Sequence, residues 1–217
     1  LNINEFIDKS GGNMIKQAKS IFRNTQAQFR RMKIRKMGKQ PIIKLMVGAG
    51  DKVQPGWISA VKQDLDILNE NDWQRYFKPA AIDNILAEHV WEHLTPEEGR
   101  LGIEMCYRYL KRGGRLRLAV PDGNHPNPEY IEHVRPGGSG LGADDHKILY
   151  TVDIMRKAME SAGFRVVPLE YYDEDGVFHA VDWDPEDGKV NRSLRFDSRN
   201  ANGQIGYTSL IVDGIRP

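Results

Sequence analysis

The sequence predicts an α/β fold built on a doubly wound, mostly parallel sheet, and three observations carry that prediction. Short apolar runs at 42–47, 57–61, 82–87 and 115–120 alternate with segments that fit helices. The first run empties into Gly48-Ala49-Gly50, a tight turn at the point where such sheets meet their ligands. Thr95-Pro96-Glu97-Glu98 is a capping box with proline at the first helical position, which marks one helix start.

The elements follow in order. In residues 1–40, Met14, Ala18, Ile21, Phe22, Phe29 and Met32 recur at helical spacing, while Lys16, Lys19, Arg23, Arg30 and Arg31 lie mostly elsewhere on the wheel. This predicts a basic amphipathic N-terminal helix of about six turns, stopped by Gly38 and Pro41. Residues 41–217 form the second unit. Ile42–Val47 reads as a buried strand, and Trp57–Val61 as a second strand after the turn pair Pro55-Gly56. Ile82–Ala87 is a third strand, followed by Glu88-His89. The capped helix then presents Leu101, Met105, Cys106, Tyr109 and Leu110 inward. Lys111 and Arg112 sit in its last turn and Gly113-Gly114 stop it. Leu116, Leu118 and Val120 alternate in the next strand, which runs into Pro121-Asp122. Residues 123–147 are rich in Gly, Pro, Asn and His without any period, the mark of a functional or mobile loop. A helix over 152–162, a strand at 164–171 and a closing strand at 208–215 complete the pattern. The two late strands have no helix between them and suit an antiparallel hairpin at one edge of a Rossmann-like sheet.

Of the 217 residues 40% are apolar, enough for one cored domain and an appendage. No stretch reaches the roughly 18 consecutive apolar residues of a bilayer span. The first ten residues lack the basic and apolar regions of a signal peptide. The single Cys106 excludes an internal disulfide and a multi-cysteine zinc site, so a reducing, cytoplasmic setting is expected. The net charge of +1 is unevenly spread. Residues 1–44 hold eleven Lys/Arg against two acids, a balance of +9 that leaves −8 for the rest. Such an arm suits phosphates, an anionic membrane surface, the acidic body of its own chain, or a partner subunit such as a second copy.

Four segments should converge at the carboxyl ends of the strands: Gly48-Ala49-Gly50-Asp51, Val61 to Asp66, Glu88-His89 and Pro121-Asp122. The glycines matter because a ligand approaches a backbone closely only where no Cβ intervenes. With these segments in view, the chain resembles the class I S-adenosylmethionine-dependent methyltransferases, more narrowly the small members associated with cell-surface glycan synthesis. The resemblance is carried by LMVGAGDKVQPGWI (45–58), ILAEHVWEHLTPEEG (85–99), CYRYLKRGGRLRLAVPD (106–122) and HKILYTVDIMRKAMESAGF (146–164).

The resemblance implies S-adenosylmethionine as cofactor, with Gly48, Ala49, Gly50 and Asp51 around its methionine part. Asp64 and Asp66 are the carboxylates nearest the ribose and adenine positions, and Glu88 and His89 line the same cleft. Asp122, His125 and His146 face the acceptor side as candidates for the general base. His146 is the first choice, because a neutral imidazole accepts a proton near pH 7. The reaction implied is methyl transfer to an oxygen or nitrogen of a small-molecule or glycan acceptor. Three positions depart from the family pattern: Met46 two places before the first glycine, Lys52 in place of a third glycine, and Ala60-Val61 where relatives carry an acid. They leave open a catalytically inactive binding or scaffold subunit. A nucleic-acid methyltransferase is the lesser alternative, since the body is acidic and the cations of the arm are not interleaved with aromatics. His89-Val90-Trp91-Glu92-His93 also matches H-x-x-E-H, an inverted zinc-peptidase signature that would take His125, Asp122 or His146 as third ligand. The methyltransferase resemblance accounts for the same string, so no metal is expected.

Overall fold

The computed structural model describes residues 20, 21, 25–201 and 205–217. Seven strands are β1 (Lys44–Val47), β2 (Trp57–Ala60), β3 (Ile82–Glu88), β4 (Leu110–Val120), β5 (Arg165–Tyr172), β6 (Phe178–Ala180) and β7 (Leu210–Ile215). They form one sheet in the order β2-β1-β3-β4-β7-β5-β6. Strands β1 to β4 pair in parallel. β7 runs antiparallel to both β4 and β5, and β6 is antiparallel to β5. The sheet is therefore mixed, mostly parallel and Rossmann-like. The two late strands pair as expected, but β7 is internal and the edge hairpin is β5–β6.

The helices are α1 (25–37), α2 (Glu70–Tyr76), α3 (Pro96–Tyr109), α4 (Pro128–Val134) and α5 (Val152–Ser161). Thr95 caps α3 with both bonds of the capping box, and Thr151 caps α5. α3 stops at Tyr109, earlier than Lys111 and Arg112 suggested. Leu110 pairs with Ile82, and Arg115 then pairs with Asn84, so residues 111–114 bulge out of the ladder. Lys111 uses that bulge to reach Asp83 at 2.8 Å. The inward face of α3 is Gly99, Gly102, Ile103, Cys106 and Tyr109, whereas Leu101 is exposed. Glycine lets neighbours approach the helix closely: a Cβ on Gly99 would run into the Tyr150 hydroxyl, and one on Gly102 would press on Trp91. The polar sequence of α2 showed no stripe. It forms because Asn69 caps it and Trp73 and Tyr76 are buried.

Along each strand alternate residues face opposite ways. Leu45, Val47, Ile58, Ile85, Leu116, Leu118 and Val212 face the larger core, which α2, α3, α5 and Ile34 of α1 cover. Met46, Trp57, Leu86, Ala119 and Ile211 face the other way and meet Trp183 and Val190. That second face is covered by the irregular segment 181–200, because the β1–β2 connection, residues 48–56, contains no helix. Arg117, 1% exposed, holds the cover in place. It pairs with Asp213 through Nε and Nη2, both at 2.8 Å, and its Nη1 donates to the carbonyls of Asp184 and Gly188.

α1 docks differently from its apolar pattern. Ile21, Phe29 and Met32 are exposed, and among the described residues Ile34, Met37 and the guanidinium groups of Arg30 and Arg31 meet the body. Met14, Lys16, Ala18, Lys19, Phe22 and Arg23 lie outside the described residues. Among the described residues no helix is long and apolar enough to cross a membrane.

Candidate functional site

The carboxyl ends of β1 to β4 bring together most of the segments singled out by sequence. β1 has β2 on one side and β3 on the other, so its glycine turn sits at the switch in strand order. Gly48 and Gly50 both have positive φ, +61° and +55°. Their surroundings differ. A Cβ on Gly48 would run into Val90, whereas a Cβ on Gly50 would point into open space. Gly50 also lines an open cavity of about 540 Å³, with Asp51, Val61, Gln63 and, from α1, Gln26, Phe29 and Arg30.

The carboxylates beside this turn are largely engaged. Asp64 is fully buried and accepts from Arg30 Nε at 2.5 Å and Arg31 Nε at 3.1 Å. Glu88 meets Lys52 Nζ at 2.8 Å, Asn191 Nδ2 at 3.1 Å and the Arg192 amide at 2.9 Å. Burial alone would push the Glu88 pKa up, but Lys52 and the Arg192 amide outweigh it and hold the carboxyl below its usual value. Asp66 is half-buried, with Oδ1 accepting from the Leu68 amide and Oδ2 4.0 Å from Lys62. Asp51 is exposed and Ala49 is buried beneath the turn.

A second cavity, of about 350 Å³, opens beyond β3 and β4. His89, Glu92, His93 and His146 form its polar floor, with Arg192, Arg199 and Tyr207 on the wall. His89 closes β3 with φ +58°, a left-handed conformation that a histidine rarely adopts. It is held there by its amide to Ala119 O at 2.8 Å, Nδ1 at 2.8 Å from Glu92 Oε1, and Nε2 at 3.0 Å from Ser209 Oγ. Burial lowers its pKa more than Glu92 raises it. His146 Nδ1 lies 2.7 Å from Val134 O. A carbonyl only accepts, so in the neutral tautomer Nδ1 carries the proton and Nε2 the lone pair.

Of the three residues expected on the acceptor side, only His146 lines this cavity. Asp122 is fully buried and receives the amides of Tyr172 at 2.7 Å and Asn124 at 3.0 Å, which fixes the start of the 123–147 loop to β5. Burial raises its pKa to about 6. His125 stacks on Tyr130 and accepts the Asn127 amide, a turn-stabilising role, and burial lowers its pKa. The 123–147 loop contains α4, capped by Asn127, and a 3₁₀ turn at Ala143–Asp145 that delivers His146. Glu92 was visible in the sequence only as the middle of H-x-x-E-H. Arg192, Arg199 and Tyr207 come from the stretch between β6 and β7, and no periodic signal marks them.

Solved structures similar to this chain include an S-adenosylmethionine-dependent methyltransferase from Archaeoglobus fulgidus. It is 17% identical, covering 87% of this chain and 93% of that one, with a TM-score of 0.43. Another, from Thermotoga maritima, is 11% identical over 94% and 97% of the two chains, at 0.44. The methyltransferase SibL in its apo form is 16% identical over 83% and 52%, at 0.48. No family model matches the chain, and no curated protein does.

Proposed function

We propose that this chain is an S-adenosylmethionine-dependent methyltransferase acting on an oxygen or nitrogen of a small-molecule or glycan acceptor. The observation that carries this reading is Gly50. It stands at the carboxyl end of β1, at the switch in strand order, with open space where a Cβ would be. The backbone of 48–51 would hold the methionine part of the cofactor, and Asp66, whose carboxylate is the less engaged of the pair, would take the ribose side. When bound, the cofactor supplies an electrophilic methyl group. The chain's own work is to align an acceptor with that methyl and to exclude water. His146 offers the lone pair of Nε2 to the acceptor's proton, and its bond to Val134 O keeps the ring turned for that task. Arg192 brings positive charge to the cavity wall, while Arg199 beside it is paired with Asp197 at 2.6 Å; the Arg192 guanidinium supports an acceptor with an anionic group.

A second reading is supported by specific contacts. Asp64 is closed off by two arginines and Glu88 by Lys52, and the cavity over Gly50 shares no lining residue with the cavity of His146. Methyl transfer needs donor and acceptor about 3–3.5 Å apart. A protein of this fold that binds a partner without transferring a methyl would keep both closures. Calorimetric titration with S-adenosylmethionine and S-adenosylhomocysteine separates the two. Under the first reading both ligands bind, and Gly50→Ala weakens them at least about tenfold while the variant stays folded. Failure of the wild-type chain to bind either ligand would establish the second.

A further inference from the structure

The structure assigns a first-row divalent transition-metal site to Glu92, His93 and His146, at the floor of the polar cavity. One donor atom from each of the three lies within 4.8 Å of the others. Donors at ~2.0–2.2 Å from a shared zinc stand roughly 3.4 Å apart in a tetrahedron, so these need to close on an ion by only about 1 Å.

The state of each donor points the same way. Glu92 is 1% exposed. His89 Nδ1 lies 2.8 Å from its Oε1 in poor alignment for a hydrogen bond, and Oε2 has no hydrogen-bond partner among the described residues. A buried carboxylate is costly without a cation or donors to meet it. His93 Nδ1 is likewise buried without a hydrogen bond, with Asp145 3.3 Å away. Its ring stands edge-on to that of His146, with centroids 4.8 Å apart. The Nδ1–H of His146 is committed to a backbone carbonyl, the arrangement that metal-bound histidines use to fix their tautomer and present Nε2.

The ligand set is not the one that H-x-x-E-H suggested. That motif needs a helix to put both histidines on one face. Here residues 91–93 form a single 3₁₀ turn after β3, and His89 is turned to Ser209. The long loop supplies His146 in its place. Two imidazoles and one carboxylate suit zinc, iron(II), cobalt or nickel, and disfavour magnesium and calcium, which take all-oxygen shells. With the ion bound, His146 Nε2 is a ligand and no longer the base for an acceptor; three protein ligands beside an open cavity leave coordination positions for water or a hydroxyl group. This inference rests on donor geometry alone and does not require the cofactor.

The test uses the full chain, stripped with a chelator and titrated with Co²⁺ followed visibly, with Zn²⁺ as competitor. One Co²⁺ per chain is expected, displaced by Zn²⁺. His93→Ala and His146→Ala should each weaken binding by more than the ~10–100-fold that loss of an outer-shell partner costs. His133→Ala, which alters the same cavity without touching the donor set, should bind as the wild type does. A second readout needs no variant. Mn²⁺ added to the wild type should broaden the ring-proton signals of His93 and His146 before those of His125, His133 and His179. Absence of stoichiometric Co²⁺, equal affinity in both histidine variants, or uniform broadening would each overturn the assignment.

Discussion

Lys52 Nζ lies 2.8 Å from Glu88 Oε2, joining the turn after β1 to the end of β3. The position where the resemblance expects a third glycine carries an ammonium group, and the carboxylate it reaches is almost wholly buried. A substitution that reads in sequence as a damaged cofactor motif is, in the fold, one half of an ion pair.

Lys52→Met should therefore destabilise the chain by about 1–2 kcal/mol at neutral pH. This is below the ~3–5 kcal/mol for a fully buried pair, because Lys52 is partly exposed. The sign follows from Glu88. Its pKa in the fold is below the ordinary 4.5, so its stabilisation is present above that pH and lost as pH falls through the folded value. Urea unfolding at several pH values should show the deficit of the variant at pH 7 and its shrinkage below about pH 4.5, as Glu88 protonates. A deficit independent of pH would mean that packing of the lysine stem, and not the pair, is what was lost.

Gly48 and Gly50 should separate under substitution by alanine. Both require left-handed φ, which costs an alanine about 1–2 kcal/mol. Only Gly48 also abuts Val90, and overpacking adds about 1–3 kcal/mol there. Gly48→Ala should be the more destabilised in urea unfolding, and Val90→Ala in the same chain should recover part of its loss. Equal losses at the two positions would show that Val90 yields freely.

Arg117→Met should loosen the cover of the second sheet face. The change strands Asp213 with Arg115 as its remaining cation and frees the carbonyls of Asp184 and Gly188. A loss of about 3–5 kcal/mol is expected, toward the lower figure because Arg115 remains. Trypsin should cut after the exposed Lys189 faster than in the wild type, since local opening controls cleavage. Unchanged cleavage would show that Trp183 and Val190 hold the segment without the arginine.

Much of the fold was written in short-range pattern. The capping box at Thr95, the alternation in 115–120 and the glycines after β1 are each complete within a few residues, and each stands in the structure as expected. The glycine pair was legible as a turn, because positive φ is a local demand. That Gly48 serves Val90 while Gly50 faces a cavity was not, since this depends on a residue 42 positions on from Gly48.

What tertiary structure alone decided lies across long separations. Asp64 looked like a ribose ligand until α1 folded back and set Arg30 and Arg31 on it. The apolar stripe of that helix left the body, a second copy or a membrane interface open as its partner; in the fold Ile34, Met37 and two salt bridges meet the body, and Ile21, Phe29 and Met32 are exposed. Glu92 and His93 meet His146 only because a 25-residue loop, anchored at Asp122 to β5, returns over the end of β3. Sequence alone determined the parallel strands, the capped helices α3 and α5 and the turn that could receive a ligand, because backbone geometry and amphipathic spacing are short-range demands. Which charged and polar groups meet at that end of the sheet depends on how loops close over it, and no period along the chain encodes a contact between residues fifty positions apart.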